Sequence, residues 1–335
     1  MKAKKLFSAI ALAMGFTVLA GCTDLSASFT LAEYWKYNSL NSEEILETIT
    51  YDVVFDEKDS NGKAYGGMDD LGYVISYENG SYKTVLKSET KDGKPIYSYS
   101  TEFSIDVTYS CNGQEETFTD SIVTNARFYG ADKKLQPIDS TKTTMSHSPM
   151  LGDTQTSPKF CYSIFNQTAV TVYAEDGASG TCTVTNHTLK EGDKDYQTTD
   201  TFEKNEKLVF FDNETLLVAA RAFGQSTLSA KAQTYQQVID NTQTVKYSFS
   251  ESEDEEGRKF SILVNDAEKP EEKNISYRKL SLVFDDKNPG STQTAWFATG
   301  DATKNTYRNM MLYLEVPLSY NIGRLVYNIK SVSGI

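Results

Sequence analysis

Three kinds of residue in this 335-residue chain could do chemistry: cysteines, histidines and clustered carboxylates. The cysteines are Cys22, Cys111, Cys161 and Cys182. A thiol can carry a lipid, close a disulfide or attack a substrate. Attack needs a base that holds the thiolate, and nothing local nominates one for Cys111, Cys161 or Cys182. The two histidines, His147 and His187, belong to no H-E-x-x-H and have no cysteine at ligand spacing. Zinc needs three or four ligands, so both histidines read as surface residues. The chain holds no G-x-S-x-G elbow, phosphate loop or dinucleotide fingerprint. Asp69-Asp70, Asp285-Asp286 and the cluster Glu251–Glu256 are carboxylate pairs by abundance, and read as solvated turns. A glycosidase needs only two carboxylates brought together by the fold, so that chemistry stays open as an alternative. "ESEDEE" lacks the spacing of a calcium loop. No cofactor and no metal are expected.

Cys22 stands apart from the other three. Lys2, Lys4 and Lys5 precede fifteen uncharged residues, "LFSAIALAMGFTVLA". As a helix that run reaches roughly 22 Å, short of a ~30 Å hydrocarbon core. A charged start followed by a short apolar run is the plan of an export signal. It ends in Leu19-Ala20-Gly21-Cys22, which resembles the lipobox of bacterial lipoproteins. The resemblance covers the signal alone. It implies cleavage before Cys22 and a diacylglyceryl group on its sulfur. It also implies an extracytoplasmic chain held to the cell membrane, with inner or outer membrane undecided. The expected organisation is a signal at 1–21, a short tether at 22–45, and two β-rich parts at 46–210 and 211–335.

Lipid on Cys22 leaves three thiols, enough for one disulfide. Cys161 and Cys182 lie in neighbouring predicted strands and are the expected pair. The net charge of −13 becomes more acidic once the lysine-led signal is gone. Such a body is repelled by phosphates, which excludes nucleic-acid partners. Aromatics are the compositional excess, with 21 Tyr, 17 Phe and 2 Trp. Most belong to sheet faces. Trp35 and Trp296 are the first candidates for stacking on a sugar.

The elements that must hold these residues are mostly strands. Asn79-Gly80, Asp92-Gly93 and Asn112-Gly113 suit two-residue hairpins, because each pair tolerates positive φ. They predict an antiparallel meander of four or more long strands over 72–128. With Cys111 opposite Gln114, Val107 meets Phe118 and Phe103 meets Ile122. Asp120 then falls opposite Ile105, on a face that is otherwise apolar. "KFCYSIF", "AVTVYAE", "GTCTVTNH" and "KNEKLVFFD" predict further strands. The acidic run at Asp254–Gly257 predicts a turn between two more. "DNETLLVAARAFG" predicts one helix over 213–223, about three turns long, capped by Asp212 or Asn213.

The fold class is therefore mainly β, in long antiparallel sheets, half-barrel or sandwich-like, with one short central helix. That helix either separates two β subdomains, which is the expectation, or packs across one continuous sheet. The body resembles β-rich envelope lipoproteins of no assigned activity. The expected role is non-catalytic binding or structural work at the envelope. Its partner would be an envelope protein, a glycan or an apolar ligand held in the curl of the sheet.

Overall fold

The computed structural model describes residues 45–59, 62–67, 71–130, 133–151, 156–189, 194–204, 208–224, 227–237, 240–250, 253–284, 292–299, 307 and 309–334. The signal and the tether lie outside the described residues.

Eight strands follow one another as an antiparallel meander: β1 (Ile45–Asp56), β2 (Val74–Lys91), β3 (Lys94–Cys111), β4 (Gln114–Tyr129), β5 (Pro137–Pro149), β6 (Tyr162–Tyr173), β7 (Ser179–Asn186) and β8 (Tyr196–Glu203). The short β9 (Val209–Phe210) leads through a 3-10 turn, Asn213–Thr215, into helix α1 (Leu216–Ala220). The chain then adds β10 (Ser229–Gln236), β11 (Asn241–Phe249), β12 (Glu253–Val264), β13 (Glu271–Phe284), β14 (Gln293–Ala298), β15 (Met311–Pro317) and β16 (Arg324–Ser333).

All sixteen strands belong to one sheet. β16 pairs with β1 from Thr48↔Ser333 to Asp56↔Arg324, so the two halves of the chain share a ladder. The expected division into 46–210 and 211–335 is thus not a physical one. α1 packs across a continuous sheet, and one apolar core takes Ile49 and Tyr51 from β1 with Ala219, Val245, Leu280 and Leu312. The sheet curls until its ends meet. Phe202 of β8 stacks on Tyr235 of β10 at 4.3 Å and on Phe210 of β9 at 5.8 Å. β8 and β9 share no ladder, so side chains close the barrel there.

Two of the three asparagine- or aspartate-glycine pairs are hairpin turns. Asp92-Gly93 and Asn112-Gly113 carry positive φ at both residues, and Lys91↔Lys94 and Cys111↔Gln114 flank them. The pairs Val107↔Phe118, Phe103↔Ile122 and Ile105↔Asp120 form as expected. Asn79-Gly80 does not turn the chain. β2 runs straight through it, and the register against β3 slips between Glu78↔Asp106 and Ser81↔Ser104. The pair is a β-bulge, which adds bend to a strand wrapped around a barrel. Asn79 takes φ 53° and donates to Asp106 at 2.9 Å. Gly80 lies opposite Val53 of β1, and a Cβ there would stand 2.3 Å from the Val53 carbonyl oxygen. That approach accounts for the glycine where a hairpin was expected.

The acidic run is also not a turn. β11 and β12 do not pair with each other; both lie along one edge of β13, with Phe249↔Leu280 followed by Glu253↔Tyr277. The stretch between Glu253 and Arg258 is slack within one long strand. The hairpin is β12 to β13, where Asn265 and Asp266 have positive φ. Beyond it Leu263 and Val264 pair in parallel with Ser331 and Val332 of β16. "KFCYSIF" and "AVTVYAE" are a single strand, β6, continuous through Asn166.

α1 is shorter than expected, at five residues. Asp212 caps the preceding 3-10 turn, accepting from the Glu214 N–H at 2.8 Å. The segment is buried nearly all round, through Leu216, Val218, Ala219, Ala220, Ala222 and Phe223. It therefore works as a plug in the barrel rather than as an amphipathic surface helix. Its C-terminal end is fixed by two arginines. Arg278 donates to the carbonyls of Phe223 and Gly224 at 2.8 and 2.9 Å, with its guanidinium over the Phe249 ring. Arg221 forms a bidentate pair with Glu47 of β1; these side chains are 4% and 1% exposed.

A buried pair costs desolvation on both sides, and breaking it leaves one charge stranded. Arg221→Ala or Glu47→Ala is expected to lower the unfolding free energy by about 3–5 kcal/mol in urea titrations. The double replacement Arg221→Met with Glu47→Leu is expected to recover most of that loss. Single variants that lose less than about 1 kcal/mol, the range of an exposed pair, would contradict the structural role.

Candidate functional site

The curl of the sheet leaves a polar cavity of about 140 Å³ beside the aromatic closure. Its walls follow from strand periodicity. Ser140↔Thr171 pairs β5 with β6, and Thr171↔Cys182 pairs β6 with β7, so these three side chains share the inward face. Lys142↔Ala169 adds the next row, and Tyr173 the one before. The turn after β9 supplies Asp212, Asn213 and Glu214. The end of β10 supplies Tyr235 and Gln236, with Gln237 just beyond.

Asp212 is the centre of the cavity's hydrogen bonding. Its Oδ2 accepts from Ser140 Oγ and from the Tyr173 hydroxyl, each at 2.6 Å. Its Oδ1 accepts from the Glu214 N–H. Burial pushes its pKa up, and the nearby Glu214 adds to the shift; the donors oppose it. Glu214 accepts from Lys142 Nζ and from Asn213 Nδ2, both at 3.1 Å. That second bond fixes the amide of Asn213, so Asn213 Oδ1 is the buried acceptor left without a partner. The Tyr235 hydroxyl is likewise buried, with only the Cys182 thiol beside it. Cys182 is its neighbour, and burial pushes the thiol pKa upward, which makes it a poor nucleophile.

The other sequence candidates fall elsewhere. Cys22, Trp35, Asp69-Asp70 and Asp285-Asp286 lie outside the described residues. So do Glu251 and the side chains of Glu253–Glu256. Cys161 and Cys182 are not together: Cys161 packs with Cys111, Tyr73 and Tyr109, while Cys182 packs with Phe202 and Tyr235. All three are thiols. Burial, with Cys111 close by, pushes Cys161 up to about 11. The expected pairing fails because β6 and the turn before it carry Cys161 to the other end of the barrel from the β7 start.

His147 is not a surface residue. It is buried, stacked on Phe118 at 3.9 Å, and its Nδ1 lies 2.7 Å from Asp120. The carboxylate that breaks the apolar face of β4 is thus the partner of a buried histidine. His187 is half-exposed, between Thr168 and Asp195. Trp296 stacks between Tyr277 and Tyr313 at 4.6 and 4.2 Å, with Arg258 over its ring. Its faces are occupied by neighbours, which leaves no flat platform for a sugar. Among the described residues no three His, Cys, Asp or Glu side chains are grouped to hold a metal. No described helix is long and apolar enough to cross a membrane.

No family model and no curated protein matches the chain. Among solved structures it is similar to a β-barrel-like protein of Domain of Unknown Function DUF1849 from Brucella abortus. That likeness has 11% identity and a TM-score of 0.42, over 87% of this chain and 98% of that one.

The raised pKa of Asp212 has a consequence for stability. The unfolded chain releases this proton near the ordinary value of 3.8, while the folded protein releases it at a higher pH. The native state then holds the extra proton, so stability falls as pH rises from there through the folded pKa. Asp212→Asn removes this loss. The stability of the variant relative to the parent is expected to grow with pH across that window in paired urea titrations. A difference that stays flat with pH would show that Asp212 is not held protonated by burial.

Proposed function

We propose that this protein is an extracytoplasmic lipoprotein, held to a membrane through Cys22, and that its barrel binds a small polar molecule without catalysis. The anchor rests on Leu19-Ala20-Gly21-Cys22 placed directly after a lysine-led apolar run. Two acyl chains make a stable anchor at about 0.8 kcal/mol per buried CH₂, whereas one chain holds marginally. The binding role rests on one observation. Two buried polar atoms belong to residues that line a cavity: Asn213 Oδ1 has no partner within the protein, and the Tyr235 hydroxyl has only the Cys182 thiol beside it. Each such group costs about 1–3 kcal/mol when left unsatisfied, a cost that a bound molecule with matching groups removes.

The barrel interior speaks against an apolar carrier. The space between sheet and helix is filled by α1 together with Tyr51, Phe211, Phe223 and Tyr247, all fully buried. Asp212 and Glu214 are the feature an enzyme reading would use, since their environments differ. Their oxygens are already held by Ser140, Tyr173, Lys142 and backbone, however, and the cavity is too small for a glycan chain.

The anchor is tested by Cys22→Ala. Detergent-phase partitioning is expected for the parent and lost in the variant, with the acyl mass missing from intact-protein spectra. A variant that still carries lipid would refute the reading. For the cavity, native mass spectra of protein taken from its own membrane are expected to show a small adduct that Tyr235→Phe weakens.

A further inference from the structure

The chemistry of the cavity wall narrows what it can hold. Its open groups are acceptors or hydroxyls: Asn213 Oδ1, whose orientation is fixed by the bond from Nδ2 to Glu214, and the Tyr235 hydroxyl. Asp212 has spare capacity as well. A carboxylate offers about four lone-pair positions, and Asp212 uses one on Oδ1 and two on Oδ2. The cation lining the cavity is Lys142, already committed to Glu214. No arginine and no histidine line it. Asp200 and Asp240 add negative charge beside Cys182 and Tyr235. An anion would enter against these charges. The whole chain, at −13, reinforces the field.

We infer that the cavity takes a small ammonium compound, whose N–H groups donate to Asn213 Oδ1, to the Tyr235 hydroxyl oxygen and to Asp212. This rests on the cavity being a binding site. Ala169 and the rings of Tyr173 and Tyr235 supply apolar cover for a short carbon stem. A cavity of about 140 Å³ suits a molecule of a few carbons.

The proton balance is simple. Burial raises the Asp212 pKa, because the charged form is poorly solvated. The groups facing Asp212 are Ser140 and Lys142 from β5, Tyr173 from β6, Cys182 from β7, Tyr235 from β10, and Glu214 in its own turn. Of these only Lys142 is cationic, and it serves Glu214. An arriving ammonium supplies the missing positive charge and lowers the Asp212 pKa, so that a proton bound there passes from its O–H bond to solvent. A neutral polyol offers hydroxyls but no charge, and has no such effect on Asp212.

The test uses the full-length protein in detergent, titrated calorimetrically with ethanolammonium, glycerol and propionate in two buffers of different ionisation enthalpy. Ethanolammonium is expected to bind with proton release, and its affinity to rise with pH through the Asp212 pKa. Tyr235→Phe keeps the ring stacked on Phe202 and is expected to weaken binding about tenfold, as for one lost hydrogen bond. Asp212→Asn is expected to abolish the proton release and the pH slope. If that variant does not fold, the Tyr235→Phe comparison decides. Glycerol or propionate binding as well as ethanolammonium, with sensitivity to Tyr235→Phe, would leave the cavity a binding site and overturn the ammonium assignment. Binding of ethanolammonium unchanged in both variants would overturn the cavity itself. So would no heat from any of the three together with no adduct in native spectra.

Discussion

The guanidinium of Arg221 and the carboxylate of Glu47 meet in the middle of the barrel, both almost fully buried. Neither can be left alone there, because an isolated charge in the interior costs several kcal/mol. The pair therefore ties the end of α1 to the start of β1 across 174 residues of sequence. Tyr51 and Tyr99 lie close by and share its surroundings. Arg278 closes the last carbonyls, so that end of the plug is tied to β1 and to β13. The turn before it, Asp212 to Glu214, is placed by the same constraint. The cavity wall is thus set by an ion pair that does not touch it.

The closure of the sheet explains why a cavity exists at all. A fully hydrogen-bonded barrel of this kind would fill its seam with paired backbone. Here β8 meets β9 and β10 through Phe202, Phe210 and Tyr235 instead. Stacked rings hold strands farther apart than a ladder does, since aromatic centroids sit 4.5–7 Å apart with side chains between the backbones. The space so opened is lined by inward residues of β5 to β7, where a ladder would have offered none. Ser140, Tyr173 and Asp212 hold one another in it, as do Lys142 and Glu214, while Asn213 Oδ1 is left open.

Much of the meander was legible in sequence because register is a local property. Asn112-Gly113 fixes Val107↔Phe118 and places Asp120 on the inner face. Asn79-Gly80 has the same letters and the opposite outcome. What distinguishes it is Val53, which approaches Gly80 from another strand, and no local pattern contains that. β5, β8 and β10 carried weak signals for a related reason. "STKTTMS" and "YQTTDTFE" are polar on the outward face and marginal on the inward one, and "SAKAQTYQ" buries alanines where strands usually show branched residues. The cavity was unreadable as a site. Ser140, Tyr173, Asp212 and Tyr235 come from four elements, and only the role of Asp212 as a cap showed in its neighbours. The aspartate on the inner face of β4 was the one sequence sign of buried polar chemistry; its partner His147, which read as a surface residue, shows only in the fold.

The neighbours of β1 give the barrel a mechanical character. β1 lies between β2 and β16, antiparallel to both. Interstrand bonds stand perpendicular to the strands. A pull applied through residue 45, along the axis of β1, therefore loads two ladders in shear. Their bonds must give way together and cannot peel one at a time. The Glu47–Arg221 pair sits three positions into that strand and transmits part of the load directly to the plug. Tension applied at that end meets the barrel in its strongest direction.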